Sequence, residues 1–299
     1  MPYVWLMDRS SVGSWLTATS ITVSDGGELR MRDLTVVGNA QFVTSTITGN
    51  STMFIDNCTF GAQLLMDRTN FPLGSHFYLH DSRVFRQFQW FDGDVNYLNQ
   101  ANARSTVSFK RNYIYHEMDS STTATCYAFY YPQTNTFYHY HYAVDYFFQD
   151  NTVICKLNHP TSYTAYGMWV NTYLYFRYAS VITMSNNTVF SIDHATSANP
   201  AVGNAMYLYW STVDDSYYTM PGDDWGLMTG VVTVYVWSNH PVVQYFTNVH
   251  DPDFQLTLRS ETTAGIEIVN MTIKSLSFSS TYLRSGAYLH VNNSRFANQ

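Results

Sequence analysis

The chain has 299 residues, with 15 Lys+Arg against 22 Asp+Glu and a net charge of −7; only 12% of it is charged, while 45% is hydrophobic and 17% aromatic. This composition excludes disorder, because apolar surface is plentiful. It also excludes nucleic-acid binding, which needs a basic footprint, and with no apolar run near ~18 residues no transmembrane segment is expected.

One pattern recurs along the chain: apolar, any, apolar, any, Asn or Asp, any, Thr/Ser/Arg, apolar. It starts at Val4-Trp-Leu-Met-Asp8 and returns at 29–36 around Asp33, at 53–60 around Asn57 and at 77–84 around Asp81. A weaker copy at 107–114 has Arg111 in the anchor slot. Further copies follow around Asp150, Asn186, Asn270 and Asn293. The anchors step by 25, 24 and 24 residues to Asp81, by 30, 39 and 36 to Asn186, then by 84 and 23. The long gap has room for two or three more turns, and Val234-Tyr-Val-Trp-Ser238 is a candidate for one of them.

Residues i and i+2 share a strand face, so the two apolar positions and the Asn/Asp are expected to point together into a core. No helical period is sustained. The expected fold is all-β, a right-handed parallel β-helix (solenoid) of ~24-residue coils. It forms a single domain over 1–299, with long loop insertions mainly within 85–255. Asp8, Asp33, Asn57, Asp81, Asp150, Asn186, Asn270 and Asn293 are the expected inward ladder, bonding backbone groups at each corner. Scarce charge suits such a stack, since like charges repeated on adjacent strands repel.

The stack resembles the pectate-lyase-like parallel β-helix superfamily, in which Asn ladders occur. The cadence Phe54-Ile-Asp-Asn-Cys-Thr-Phe60 is similar to the β-helical surface proteins of the trypanosomatid dispersed gene family. Those proteins are far longer. The N-terminus has no charged n-region or long apolar h-region, and the repeat starts four residues in. The sequence therefore reads as a fragment or processed piece. The resemblance implies an extracellular or cell-surface location.

Five Asn-x-Ser/Thr sequons occur, at Asn50, Asn57, Asn186, Asn270 and Asn292. A buried ladder member cannot carry a glycan, so Asn50 and Asn292 are the expected glycosylation sites of a secreted protein. The three cysteines, Cys58, Cys126 and Cys155, read first as buried thiols. A bridge between Cys126 and Cys155 is the alternative.

The stretched middle holds most of the 25 tyrosines. Insertions in a solenoid emerge on its surface. Tyr138, Tyr140, Tyr142, Tyr173 and Tyr175 are the candidate ligand-binding residues for carbohydrate or protein contacts. The competing reading is aromatic packing within the insertions. His139 and His141 alternate with tyrosines and make a weak metal candidate, with no third ligand assignable. Asp214, Asp215, Asp223 and Asp224 are weak catalytic candidates, since paired carboxylates serve glycoside hydrolysis. The Gly-His-Gly and Arg-x-Lys neighbours associated with polygalacturonase-type sites are missing, and a lyase would need a positioned basic residue. No cofactor motif appears, and no cofactor is expected. The reading favoured is a non-enzymatic surface or adhesion protein, self-associating or meeting neighbouring surface proteins. A polysaccharide lyase or hydrolase and a non-catalytic sugar-binding module are the alternatives.

Overall fold

The structure, a computed structural model, describes residues 3–297 except 73, 96–102, 120–124, 133–138, 159–164, 171–173, 178–179, 186, 195–200, 203, 213–216, 221–227, 230, 239–242, 248–249, 263–264, 279–281 and 284–285. The described residues form strands and turns and no helix. Among the described residues no helix is long and apolar enough to cross a membrane.

Three large sheets of 11, 9 and 14 strands take the chain in rotation. Glu28–Arg32 lies in the first, Thr35–Val36 in the second and Ala40–Val43 in the third; Thr52–Asp56 is back in the first. A small fourth sheet pairs Thr22–Val23 with Thr46–Ile47. Among the described residues pairing is parallel apart from one short contact, Ile192 with Val202 and Asp193 with Ala201. Successive circuits stack in register: Val4 faces Glu28, Glu28 faces Thr52, and Thr52 faces His76. Corners are tied as well, the Asn57 N–H donating to the His80 carbonyl.

Strict alternation produces the core. In Thr52–Asp56, Met53 and Ile55 are buried while Phe54 and Asp56 face outward. Stacking such strands makes buried columns, as in Met31, Ile55, Leu79, Phe109 and Phe148. Each such side chain contributes about 1.5–3 kcal/mol by leaving water. Trp90, wholly buried, donates its Nε1–H to the Thr69 carbonyl at 3.1 Å.

The corners differ from expectation. Asp33, Asn57, Asp81, Arg111, Asp150, Asn270 and Asn293 stand at φ between 48° and 56°. Asp8 is one residue early: it pairs with Arg32, and Arg9 at φ 47° holds that corner. A left-handed residue breaks the alternation. Its own side chain swings out and the next one points in. Asn57, Asp81 and Asp150 are therefore exposed, while Cys58, Ser82 and Asn151 are buried. The anchor is Asn or Asp because these tolerate positive φ best among non-glycine residues. It still forms a column, on the outside. Asn57 Nδ2 donates to Asp33 Oδ1 at 2.6 Å, Asn293 Nδ2 to Asn270 Oδ1 at 3.0 Å, and Arg111 grips Asp81 with two bonds of 2.6 Å. Asn186 lies outside the described residues.

The inward ladder runs one residue later. The Cys58 N–H donates to Ser82 Oγ at 3.1 Å, and the Ser82 N–H to Asn112 Oδ1 at 3.0 Å. The Asn112 N–H donates to Asn151 Oδ1, and the Asn151 N–H to Asn187 Oδ1, both at 3.0 Å. Burial thus no longer argues against a glycan on Asn57, which is exposed like Asn50 and Asn292; Asn270 is half-buried.

The added residues of the middle circuits go largely into strands. Second-sheet strands lengthen from two residues (Arg83–Val84) to seven in Tyr113–Asp119, Thr152–Asn158 and Thr188–His194. The apolar alternation of Val153, Cys155 and Leu157 lets the extra residues pair and bury, so surface loops do not absorb them all. The long gap holds two first-sheet strands, Tyr217–Met220 and Val243–Thr247. The candidate turn at Val234 to Ser238 lies in the third sheet instead, within Val231–Ser238.

On the outer face of the lengthened second sheet, Lys156 Nζ and Asn158 Nδ2 donate to Glu117 Oε1 at 2.8 and 2.7 Å, and the Tyr115 hydroxyl donates to Oε2 at 2.5 Å. These bonds, Lys156 first, pull the Glu117 carboxyl down to about 2. A depressed folded pKa stabilises the fold above the unfolded value near ~4.3 and loses that stabilisation as pH falls toward 2. Glu117→Gln should therefore flatten the fall of the urea midpoint between about pH 4.5 and 2. The effect is small, since exposed pairs contribute about 0–1 kcal/mol. An unchanged acid slope would remove this role.

Candidate functional site

The outer face of the third sheet carries a column without charge. In register it reads Thr17, Gln41, Leu65, Gln89, Tyr130 and Trp169. Gln63 Nε2 bonds the side-chain oxygens of Gln87 and Gln89 at 3.1 and 2.8 Å, fixing an amide strip beside the aromatic positions.

The strands Cys126–Tyr131 and Ala165–Val170 depart from simple alternation in the same way. Ala128 and Phe129 are buried in succession, and so are Gly167 and Met168. The outward residues are thus three apart: Tyr127 with Tyr130, and Tyr166 with Trp169. The residue at the irregularity is small in each strand, and the next strand shifts register at the same level, between Asn204 and Met206.

The irregularity brings four rings together. Tyr127 stacks on Tyr130 with centroids 4.3 Å apart and on Tyr166 at 5.5 Å. Trp169 lies 5.3 Å from Tyr127 and 5.1 Å from Tyr130. All four are half-buried. Burial, reinforced by the neighbouring phenols, pushes the Tyr127 hydroxyl up to about 12, and burial raises that of Tyr130. Both stay neutral under ordinary conditions. Flat, uncharged, partly exposed rings beside fixed amides can stack on the apolar face of a sugar ring and bond its hydroxyls.

The residues expected to bind ligand are placed differently. Tyr138 and Tyr173 lie outside the described residues. Tyr140 and Tyr175 face each other in the pair His139–Tyr142 and Leu174–Arg177. Tyr142 is 7% exposed, too buried to meet a ligand. His141, paired across the same strands as His139, is wholly buried, with Nε2 3.1 Å from the Tyr131 hydroxyl. It is a core histidine, not half of a surface metal pair. Asp214, Asp215, Asp223 and Asp224 lie outside the described residues.

Cys126 and Cys155 are bridged, with Cα atoms 6.3 Å apart, within the usual disulfide range. This overturns the three-thiol reading. Only Cys58 is free; burial pushes its thiol up to about 11, so it stays protonated and unreactive. Among the described residues one group has metal-ligating geometry: ligand atoms of His116, Cys126 and Cys155 all lie within 4.8 Å of one another. This group was not legible from residue spacing, because its members come from different sheets of two successive circuits. The aromatic platform was hidden for a related reason: a spacing of three breaks the strand period of two.

No protein-family profile, curated protein or solved structure matches the chain.

Proposed function

We propose that the chain is a right-handed parallel β-helix acting as a non-enzymatic extracellular or cell-surface adhesion protein, with carbohydrate as the ligand of its third sheet. Right-handedness is the rule for parallel crossover connections. The observation that carries the ligand reading is the four-ring platform of Tyr127, Tyr130, Tyr166 and Trp169, all uncharged and half-buried. The Cys126–Cys155 bridge suits an oxidising compartment, as do the exposed sequons at Asn50, Asn57 and Asn292.

A glycan-array screen tests the reading. Wild type should bind a restricted set of glycans, and Tyr127→Ala or Trp169→Ala should each weaken binding at least tenfold, about 1.4 kcal/mol. Variants that bind like wild type would show that the platform is not the site, and an array without hits would remove carbohydrate altogether.

Self-association is favoured by a separate observation. The outermost strands of the first sheet leave Val4, Trp5 and Leu6 on one side, and Tyr288, Leu289 and Val291 on the other, 42–63% exposed. Such apolar edges accept a further strand, from another coil of a longer chain or from a second copy. Electron microscopy at high protein concentration should show end-to-end particles; isolated monomers throughout would end this reading.

A further inference from the structure

We infer that His116, Cys126 and Cys155 form a binding site for a thiophilic divalent cation of the zinc class, shut while the two cysteines are bridged and available once they are reduced. The inference does not depend on the aromatic platform or on its ligand.

Three observations carry it. First, the placement is built into the stack: His116 faces Cys155 in register between two second-sheet strands, and Cys126 opens the adjoining third-sheet strand. The two sulfurs and a ring nitrogen lie within 4.8 Å of one another. In a tetrahedral zinc site, bonds of ~2.3 Å put two sulfurs about 3.8 Å apart. Bridged sulfurs would have to separate by less than about 2 Å to reach that distance. Second, His116 is oriented as metal-bound histidines are. Its Nδ1 lies 2.7 Å from the Tyr127 carbonyl oxygen, which only accepts, so Nδ1 carries the proton. In the neutral ring the lone pair is then on Nε2, and a ring N–H held by a carbonyl is the usual support for a metal-bound histidine. Third, both cysteines are wholly buried while His116 is half-exposed. The thiolates are shielded from water, and the imidazole marks the side from which a cation enters. Three protein ligands leave a fourth position for water.

The chemistry balances. A dithiol reductant supplies two electrons and two protons to the Cys126–Cys155 bridge, becoming a disulfide itself, and leaves two thiols. Binding of the cation then releases the two thiol protons to solvent.

The test uses the full chain, reduced with a dithiol that is removed by gel filtration under nitrogen, and Co²⁺ as the probe. The reduced chain should take up about one Co²⁺ and show thiolate-to-cobalt charge-transfer absorption; the oxidised chain should show none. His116→Ala should weaken binding at least tenfold. Cys126→Ser should lose most of the charge-transfer band, and Cys58→Ser should match wild type. If reduction melts the strand signal in circular dichroism, Zn²⁺ should restore it. A reduced chain with no charge-transfer band, a Cys126→Ser variant that titrates like wild type, or a melted chain that Zn²⁺ fails to restore would each overturn the site and leave the pair as a bridge only.

Discussion

Asn151→Leu should lower the free energy of unfolding by about 4 kcal/mol, near the top of what one substitution does. Asn151 Oδ1 accepts from both the backbone N–H and the Nδ2 of Asn112, and its own Nδ2 donates to the Phe109 carbonyl and to Asn187 Oδ1. Leucine has the same branched outline and removes these side-chain bonds at once, leaving the Asn112 N–H and the Phe109 carbonyl without their Asn151 partner. Every group left behind is buried, and each orphan costs about 1–3 kcal/mol. The extra apolar surface of leucine offsets only about 1 kcal/mol. The loss therefore wins even after partial relaxation. Asn57→Gly is the matching control. It alters the outward column, where the side chain is exposed and glycine accepts positive φ without strain, so it should shift stability by a few tenths of a kcal/mol. Urea midpoints followed by tryptophan fluorescence check both. Equal effects at the two positions would mean that the ladder has been assigned to the wrong residue.

Phe109→Ala should cost about 4 kcal/mol, through lost burial and an unfilled cavity. Phe109 is wholly buried. It meets Phe129 and Phe88 at centroid distances of 5.1 and 5.2 Å, and Phe77, Phe148 and Tyr146 at 5.6, 5.9 and 6.4 Å. These rings come from its own circuit and those on either side, so the loss spreads along the stack. It should not spread far, because each circuit touches only its neighbours. Hydrogen exchange should accelerate in His76–His80 and Val144–Gln149 and much less in Glu28–Arg32. Uniform acceleration would show that the whole stack opens as one unit.

These two substitutions also show what could be read before the structure. The column through Phe109 was legible, because strand alternation alone puts Val107 and Phe109 on one face. The ladder was legible in position and not in direction. A pattern of residue types carries no sign of φ, and a single left-handed residue moves the inward role from Asp150 to Asn151. The bridge depended on stacking register: Cys126 and Cys155 are 29 residues apart, a spacing that matches no circuit, because they lie in different sheets. The platform needed the coincidence of small residues at one level of neighbouring strands, which no single strand reveals.

The lengthening of the middle circuits sets a filling problem. The area a closed loop surrounds grows as the square of its perimeter, while the number of inward side chains grows only in proportion. Asn39 and Gln63 are 24 residues apart, Asn112 and Asn151 39. An interior cannot thin out to accommodate that growth, since proteins pack at crystal-like density throughout. A long circuit must therefore place some bulkier residues inward. Phe42 is the one wholly buried ring between Glu28 and Ser51, whereas Phe109, Phe129 and Tyr131 all point inward in the circuit that starts at Ser105. Part of the aromatic surplus thus answers to cross-section, which separates the inward rings from those, such as the third-sheet platform, that are turned outward.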